Sequence, residues 1–119
     1  MPWWPEMDVL LDECIDQRLA RELPGHNIRS VPQMGWSGIK NGRLMALAEQ
    51  EFDVFLMVDR NLSFQQNLPQ FNIALIVLHA PSNRLVDLKP LAPAILAMLP
   101  KTQIGQAMIV TIIPQTDDE

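Results

Sequence analysis

The sequence predicts one α/β domain, with a central, mostly parallel sheet of five strands covered by helices in a three-layer α/β/α arrangement. Short apolar runs alternate with stretches of helical spacing, which is the pattern of βαβ units. The runs are continuously apolar, as expected of strands buried on both faces. The chain has 119 residues, enough to enclose a single hydrophobic core.

Five apolar runs are the predicted strands. They cover residues 9–11, 27–31, 54–58, 73–78 and 107–113. The clearest is 54–58, Val-Phe-Leu-Met-Val, which leads directly into Asp59-Arg60-Asn61. A buried run of this composition suits the middle of a parallel sheet.

Helical spacing of apolar residues fills the intervals between the strands. It predicts helices over 14–23, 41–50 and 85–99, and a short helix or turn over 61–67. Pro24-Gly25 ends the first helix, and Pro90 and Pro93 break or restart the last one. We expect the folded domain to span 8–114, preceded by an N-terminal extension (1–7) and followed by an acidic C-terminal tail (115–119).

Composition limits the function classes. The net charge of −5 argues against tight nonspecific binding of nucleic acid, although a local basic patch remains compatible with it. A single cysteine cannot form an internal disulfide, which is typical of a reducing compartment. The apolar runs are too short to span a bilayer, and the N-terminus lacks the pattern of a secretory signal. We therefore expect a cytoplasmic protein without membrane association.

Acidic residues follow two of the predicted strands. Asp12 and Glu13 come directly after the first strand, and Asp59 comes directly after the third. In open parallel sheets, ligands bind beyond the carboxyl ends of the strands. If the two strands are neighbours, the carboxylates converge, and a divalent cation relieves their repulsion. Oxygen ligands of this kind select Mg²⁺ or Mn²⁺, which support phosphoryl chemistry.

Other candidate residues carry weaker signals. Four cationic side chains could form a rim for phosphate groups near the strand ends: Lys40, Arg43, Arg60 and Arg84. Scattered, solvated cations are the competing interpretation. Cys14 falls on the apolar face of the predicted first helix, which favours a core position over a nucleophile. Two histidines and one cysteine give no zinc-binding spacing.

Four motifs together resemble a bacterial family of PIN-like proteins. They are Leu10-Leu-Asp-Glu13, the Pro-Gly-His26 turn, the Gly35-Trp-Ser-Gly38 loop and Val58-Asp-Arg-Asn-Leu62. The resemblance covers about residues 8 to 112. It implies a PIN-type α/β/α fold and kinship with Mg²⁺- or Mn²⁺-dependent ribonucleases, many of which are toxins of toxin–antitoxin pairs.

The resemblance also implies a set of site residues. Asp12 matches the first metal-binding acid of the family, Asp59 matches the third, and Glu13 is an auxiliary candidate. Asn41 and Asn61 occupy positions where relatives often carry acids. An asparagine can ligate through its carbonyl oxygen but adds no charge, so these departures weaken the expected metal site.

Three hypotheses follow. The first is a metal-dependent ribonuclease that cleaves RNA at an Asp12/Asp59 site, possible partners being a cognate antitoxin or a second copy in a homodimer. The second is a catalytically weak or inactive PIN-like module that binds RNA or a protein. The third is a receiver-like phosphoacceptor domain, which would need a lysine after the last strand, where Ile112-Ile-Pro-Gln115 supplies none.

Overall fold

The fold was obtained as a computed structural model that describes residues 6–39, 41–58 and 71–111. The strands are β1 (Asp8–Leu11), β2 (Asn27–Ser30), β3 (Val54–Val58), β4 (Ala74–His79) and β5 (Ala107–Thr111). The α-helices are α1 (Asn41–Ala48), α2 (Leu85–Leu88) and α3 (Ala92–Met98). Three 3-10 helices cover Gln17–Glu22, Lys89–Leu91 and Leu99–Lys101. No helix within these ranges is long and apolar enough to cross a bilayer.

The five strands form one sheet in the order β2-β1-β3-β4-β5, and every pair is parallel. The predicted α/β fold with a five-stranded, parallel sheet is therefore confirmed. β1 and β3 are neighbours, with Leu11 aligned to Leu56, which is the condition for the acids after these strands to converge. Because the chain leaves β1 for β2 on one side and later returns to β3 on the other, the order reverses between β1 and β3. Crevices at such a reversal are the usual ligand sites of open parallel sheets.

Alternate strand residues supply two separate cores, one on each face of the sheet. On the first face, strand residues such as Leu11, Leu56 and Ile76 pack against the 3-10 helix 17–22 and against α2 and α3. On the second face, residues such as Leu10 and Phe55 pack against α1. These side chains are almost fully buried, so each face contributes the hydrophobic stabilisation that a parallel sheet requires.

The β2–β3 and β4–β5 connections lie on opposite faces of the sheet. The β2–β3 and β4–β5 connections both lead toward the β5 edge of the sheet, yet α1 covers the second face and α2–α3 cover the first. Two connections with the same direction on opposite faces have opposite hands, so one of them is left-handed, which is rare in parallel sheets. As a result, the segments that follow β1 and β4 emerge on the same face.

Two predicted elements differ from the structure. The segment predicted as a helix over 14–23 is a turn followed by the 3-10 helix Gln17–Glu22. The Asp16 side chain accepts the Arg18 N–H at 2.9 Å and caps this helix, so the helix begins after Asp16. Cys14, predicted to lie in the core, is exposed in the preceding turn. Strand two ends earlier than predicted, at Ser30, and residues 112 and 113 of the predicted fifth strand lie outside the described part of the chain.

Candidate active site at the carboxyl edge of the sheet

Asp12 lies directly beyond β1, at the point where the strand order reverses between β1 and β3. The Leu11 carbonyl accepts the Val31 N–H at 2.9 Å, and the Asp12 N–H donates to the Leu56 carbonyl at 2.9 Å. The backbone at Asp12 is thus held on both sides by the neighbouring strand ends. This gives the half-buried carboxylate a defined position at the carboxyl edge.

The Asp12 carboxylate organises the turn that follows it. Oδ1 accepts the Glu13 N–H at 2.9 Å, and Oδ2 accepts the Cys14 thiol at 3.4 Å. The Asp12 carbonyl accepts the Ile15 N–H at 3.0 Å. A carboxylate oxygen has two acceptor positions, so each oxygen of Asp12 can still take a further partner.

Glu13 joins this turn to the loop that follows β2. Its Oε1 accepts the Gly38 N–H at 2.9 Å, across 25 residues of sequence. Gly38 has φ +83°, in the left-handed region where only glycine is free of strain. The bond therefore depends on a glycine at this position, and it places Glu13 beside the entry to α1.

The loop itself is anchored on the second core. The Trp36 N–H donates to the Val31 carbonyl at 3.0 Å, and the Ile39 N–H donates to the Trp36 carbonyl at 3.1 Å. The Trp36 ring meets the Phe52 ring edge to face, with centroids 6.2 Å apart. The loop ends at α1, whose first residue is Asn41, so the backbone of this predicted ligand lies at the carboxyl edge.

An open cleft of about 730 Å³ lies beside Asp12 on the first face of the sheet. We name its two sides the first wall (residues 13–18, after β1) and the second wall (residues 83–86, after β4). Cys14 lines the cleft and its thiol contacts Asp12, so a lining residue joins the cleft to the first acid. Its volume lies within the range of ligand-binding sites in proteins.

Each wall carries an arginine with a nearby acid. On the first wall, the Arg18 guanidinium donates from Nη2 to Asp16 at 2.6 Å and from Nε at 3.0 Å. This pairing lowers the pKa of Asp16 to about 2 and raises that of Arg18. On the second wall, Arg84 Nε lies 3.9 Å from Asp87, and its side chain is 74% exposed.

The thiol of Cys14 is not set up as a nucleophile. Loss of hydration and the negative charge and hydrogen bond of Asp12 raise its pKa to about 11, and the Asn83 side chain acts in the opposite direction more weakly. A thiol with this pKa is almost entirely protonated at neutral pH, and the thiolate is the reactive form. The cysteine instead donates a hydrogen bond to the first acid.

The predicted site residues divide into three groups. Glu13 and Arg84 line the cleft, Asp12 contacts the lining residue Cys14, and Arg43 is exposed in the first turn of α1. Four residues lie outside the described part of the chain: Lys40, Asp59, Arg60 and Asn61. Asn41 is described in its backbone alone. Across the described ranges, no three His, Cys, Asp or Glu side chains form a group that could hold a metal ion.

Sequence reasoning missed Asp16, Arg18 and Asn83, which also line the cleft. An Asp-x-Arg spacing before a helical stretch is a signal for a capping acid with an arginine within reach. The prediction of a longer helix over 14–23 placed Asp16 inside the helix, so this capping signal was not used. Asn83 carried no signal, because its position depends on the face used by the β4–β5 connection.

Comparison with family models, with curated proteins and with solved structures found no match to this chain. The site is therefore argued from its own geometry and chemistry.

Proposed function

We propose that the protein is a Mg²⁺- or Mn²⁺-dependent ribonuclease of PIN-like type that acts at the carboxyl edge of the sheet. The observation that carries this proposal is the position of Asp12 at the reversal between β1 and β3, beside an open cleft. Val58 ends β3, and Asp59 is the next residue in the sequence. Parallel strands that end in acids at such a reversal favour a cation-dependent site.

The donor set suits a hard divalent cation. Asp12 offers carboxylate oxygens with free acceptor positions, and Asp59 and Asn61 would add oxygen ligands after the neighbouring strand. Within the described ranges the cluster is incomplete, so the metal-binding role of Asp12 depends on Asp59. When bound, such an ion activates water and neutralises charge on phosphate oxygens.

The chain's own residues would orient this chemistry. The Leu56 carbonyl holds the Asp12 backbone, and the Glu13 N–H and the Cys14 thiol hold its carboxylate. Arg84 and Arg43 are the described members of the cationic rim that we assign to the RNA backbone. Glu13, bonded to Gly38, supports the loop that leads to Asn41.

A second candidate is a noncatalytic PIN-like module that binds RNA or an antitoxin-like protein. Two observations favour it. Asp12 and Glu13 already have structural roles, since Asp12 accepts a hydrogen bond within its own turn and Glu13 accepts one from Gly38. In addition, asparagines stand at two positions where acids are expected. The strand order is also that of receiver domains. However, the residues after β5, 112–115, contain no lysine to hold a phosphoryl group.

Calorimetric titration with Mn²⁺ tests the first candidate directly. We expect the native protein to bind Mn²⁺ in the micromolar-to-millimolar range, and Asp12→Asn and Asp59→Asn each to remove measurable binding. Glu51→Gln is the matched control, because Glu51 is exposed at the opposite edge of the sheet and the variant makes the same change of charge. Its affinity should equal that of the native protein.

Cleavage of a mixed RNA pool in Mn²⁺ then tests the reaction, and Asp59→Asn should abolish it. Retained cleavage in that variant would refute the assigned site. Absence of Mn²⁺ binding by the folded native protein would refute the ribonuclease and leave the noncatalytic module.

A further inference from the structure

We infer that the cleft between the first and second walls is the path of a single-stranded RNA, with Arg18 and Arg84 contacting successive phosphates from opposite sides. The inference rests on the proposed function and extends it, because it assigns the strand's path and gives a role to Arg18. It is carried by the arrangement of the walls around one opening beside Asp12.

The cleft leads to the proposed reaction centre. Cys14 lies in its lining, and the Cys14 thiol is 3.4 Å from Asp12 Oδ2. A strand that occupies the cleft therefore meets Cys14, the lining residue that contacts the first acid. The volume of about 730 Å³ is large enough for a short stretch of single strand.

Arg18 is held in one orientation with donors to spare. Asp16 occupies Nε and one N–H of Nη2, which leaves three of the five N–H groups of the guanidinium for another partner. The Arg18 side chain is 65% exposed. An arginine oriented by a carboxylate loses little freedom on binding, and its planar fork matches phosphate oxygens.

Arg84 faces the same opening from the second wall with a looser partner. Its contact with Asp87 is long, at 3.9 Å, and involves a largely exposed side chain. Exposed ion pairs of this kind contribute little, so the arginine can turn toward a phosphate at small cost. Val86, 66% exposed on the same wall, offers apolar surface to a base or ribose.

The charges of the lining limit the affinity. Glu13 and Asp16 balance Arg18 and Arg84, so the cleft is not a strongly basic groove. Binding should therefore be weak and only moderately dependent on salt, with the two arginines supplying most of the attraction.

The test is fluorescence anisotropy of a fluorescein-labelled decauridylate at low salt in EDTA, so that no cleavage occurs. Arg18→Ala/Arg84→Ala should weaken binding at least about tenfold, and the slope of log K against log salt should become shallower by ~1.4, for two phosphate contacts on a single strand. The matched control is Arg21→Ala/Lys101→Ala, which removes the same charge from exposed residues that do not line the cleft. The control should change affinity by less than about twofold and leave the salt slope unchanged.

Equal weakening by the two double variants would overturn the inference, as would absence of native binding. Arg84→Ala alone leaves the first wall intact and should lose about half of the slope change, which protects the test against misfolding of the double variant. If the native protein binds decauridylate but not Mn²⁺, the RNA path is supported and the ribonuclease is refuted. If it binds Mn²⁺ but not decauridylate, the RNA path alone is refuted.

Discussion

The two walls of the cleft are built in different ways. The first wall is tied to a distant part of the chain, since Glu13 accepts the Gly38 N–H across 25 residues. The hydrogen bonds of the second wall are mostly local: the Arg84 N–H donates to Ser82 Oγ, the Ser82 hydroxyl donates to Asp87, and the Arg84 carbonyl accepts the Asp87 N–H. The Asn83 side chain also interacts with Cys14 of the first wall. Both walls rest on the same core below them.

The first wall is therefore the more rigid side of the cleft, and the second wall is the more adaptable side. Arg18 is locked by two strong contacts to Asp16, whereas Arg84 has one long contact to Asp87. A site with one oriented arginine and one mobile arginine can hold a strand in place and still accommodate variation in its path. The predictions below test each side of this comparison.

The largest effect is expected from the buried supports of the walls. Leu19 beneath the first wall and Leu88 beneath the second are both 0% exposed. Leu19→Ala and Leu88→Ala should each lower the free energy of unfolding by about 2–5 kcal/mol, because each leaves a cavity in a packed core. Urea denaturation followed by circular dichroism measures the loss. A cost below about 1 kcal/mol in either variant would show that this wall does not rest on the core.

A smaller effect is expected where the first wall is tied to the loop after β2. Glu13→Ala removes the acceptor for the Gly38 N–H and should cost about 1 kcal/mol. It should also shift the fluorescence of Trp36, which lies in the same loop, measured in a background where Trp3 and Trp4 are replaced by phenylalanine. Glu13→Gln keeps a carbonyl acceptor and should preserve both properties.

Glu13→Gln is also the control for a metal-binding role of Glu13. If the residue acts only through Gly38, the glutamine variant retains the native Mn²⁺ affinity. A glutamine variant that disturbs Trp36 as much as the alanine variant does would refute the hydrogen-bond account of the first wall.

The smallest effect is expected from the locking of Arg18. Folding lowers the pKa of Asp16 from its ordinary value of 3.8 to about 2. The folded state therefore favours the ionised carboxylate. Its contribution to stability is therefore present above about pH 4 and is lost as the pH falls toward 2. Asp16→Asn should remove this pH-dependent contribution, seen as a smaller difference in urea midpoint between pH 5 and pH 2.5 than in the native protein.

Arg18→Ala should reproduce most of that change, because the hydrogen bond from the Arg18 side chain is the largest cause of the lowered pKa. The Arg18 backbone N–H, which also lowers the pKa, remains in the variant. A native pH dependence in either variant would mean that Arg18 is not locked, and the contrast between the walls would then disappear.

Much of the fold could be predicted from the chain. Strand 54–58 was predicted with its exact bounds, and the interruptions at Pro90 and Pro93 match the division of the last helical region. Buried strands and prolines leave local patterns that do not depend on the rest of the molecule. The sequence left open whether β1 and β3 are neighbours, and the strand order shows that they are.

The first wall could not be predicted in the same way. Apolar spacing over 14–23 favoured a helix, but the side chains of Asp12 and Asp16 accept nearby N–H groups and replace its first turns. Short acidic side chains compete with the helix for backbone donors in this manner. Because the helix begins later than predicted, Cys14 is exposed and Arg18 lines the cleft.

The sequence by itself determined the parallel sheet, its buried strands and the placement of acids at the strand ends, because these follow from hydrophobic pattern and chain order. Only the tertiary structure decided which face the β4–β5 connection covers and hence that Arg84 stands opposite Arg18. An amphipathic pattern shows which side of a helix is apolar but not which face of a sheet will bury it. The long-range bond from Glu13 to Gly38 is likewise a product of packing, since nothing in either segment alone specifies the other.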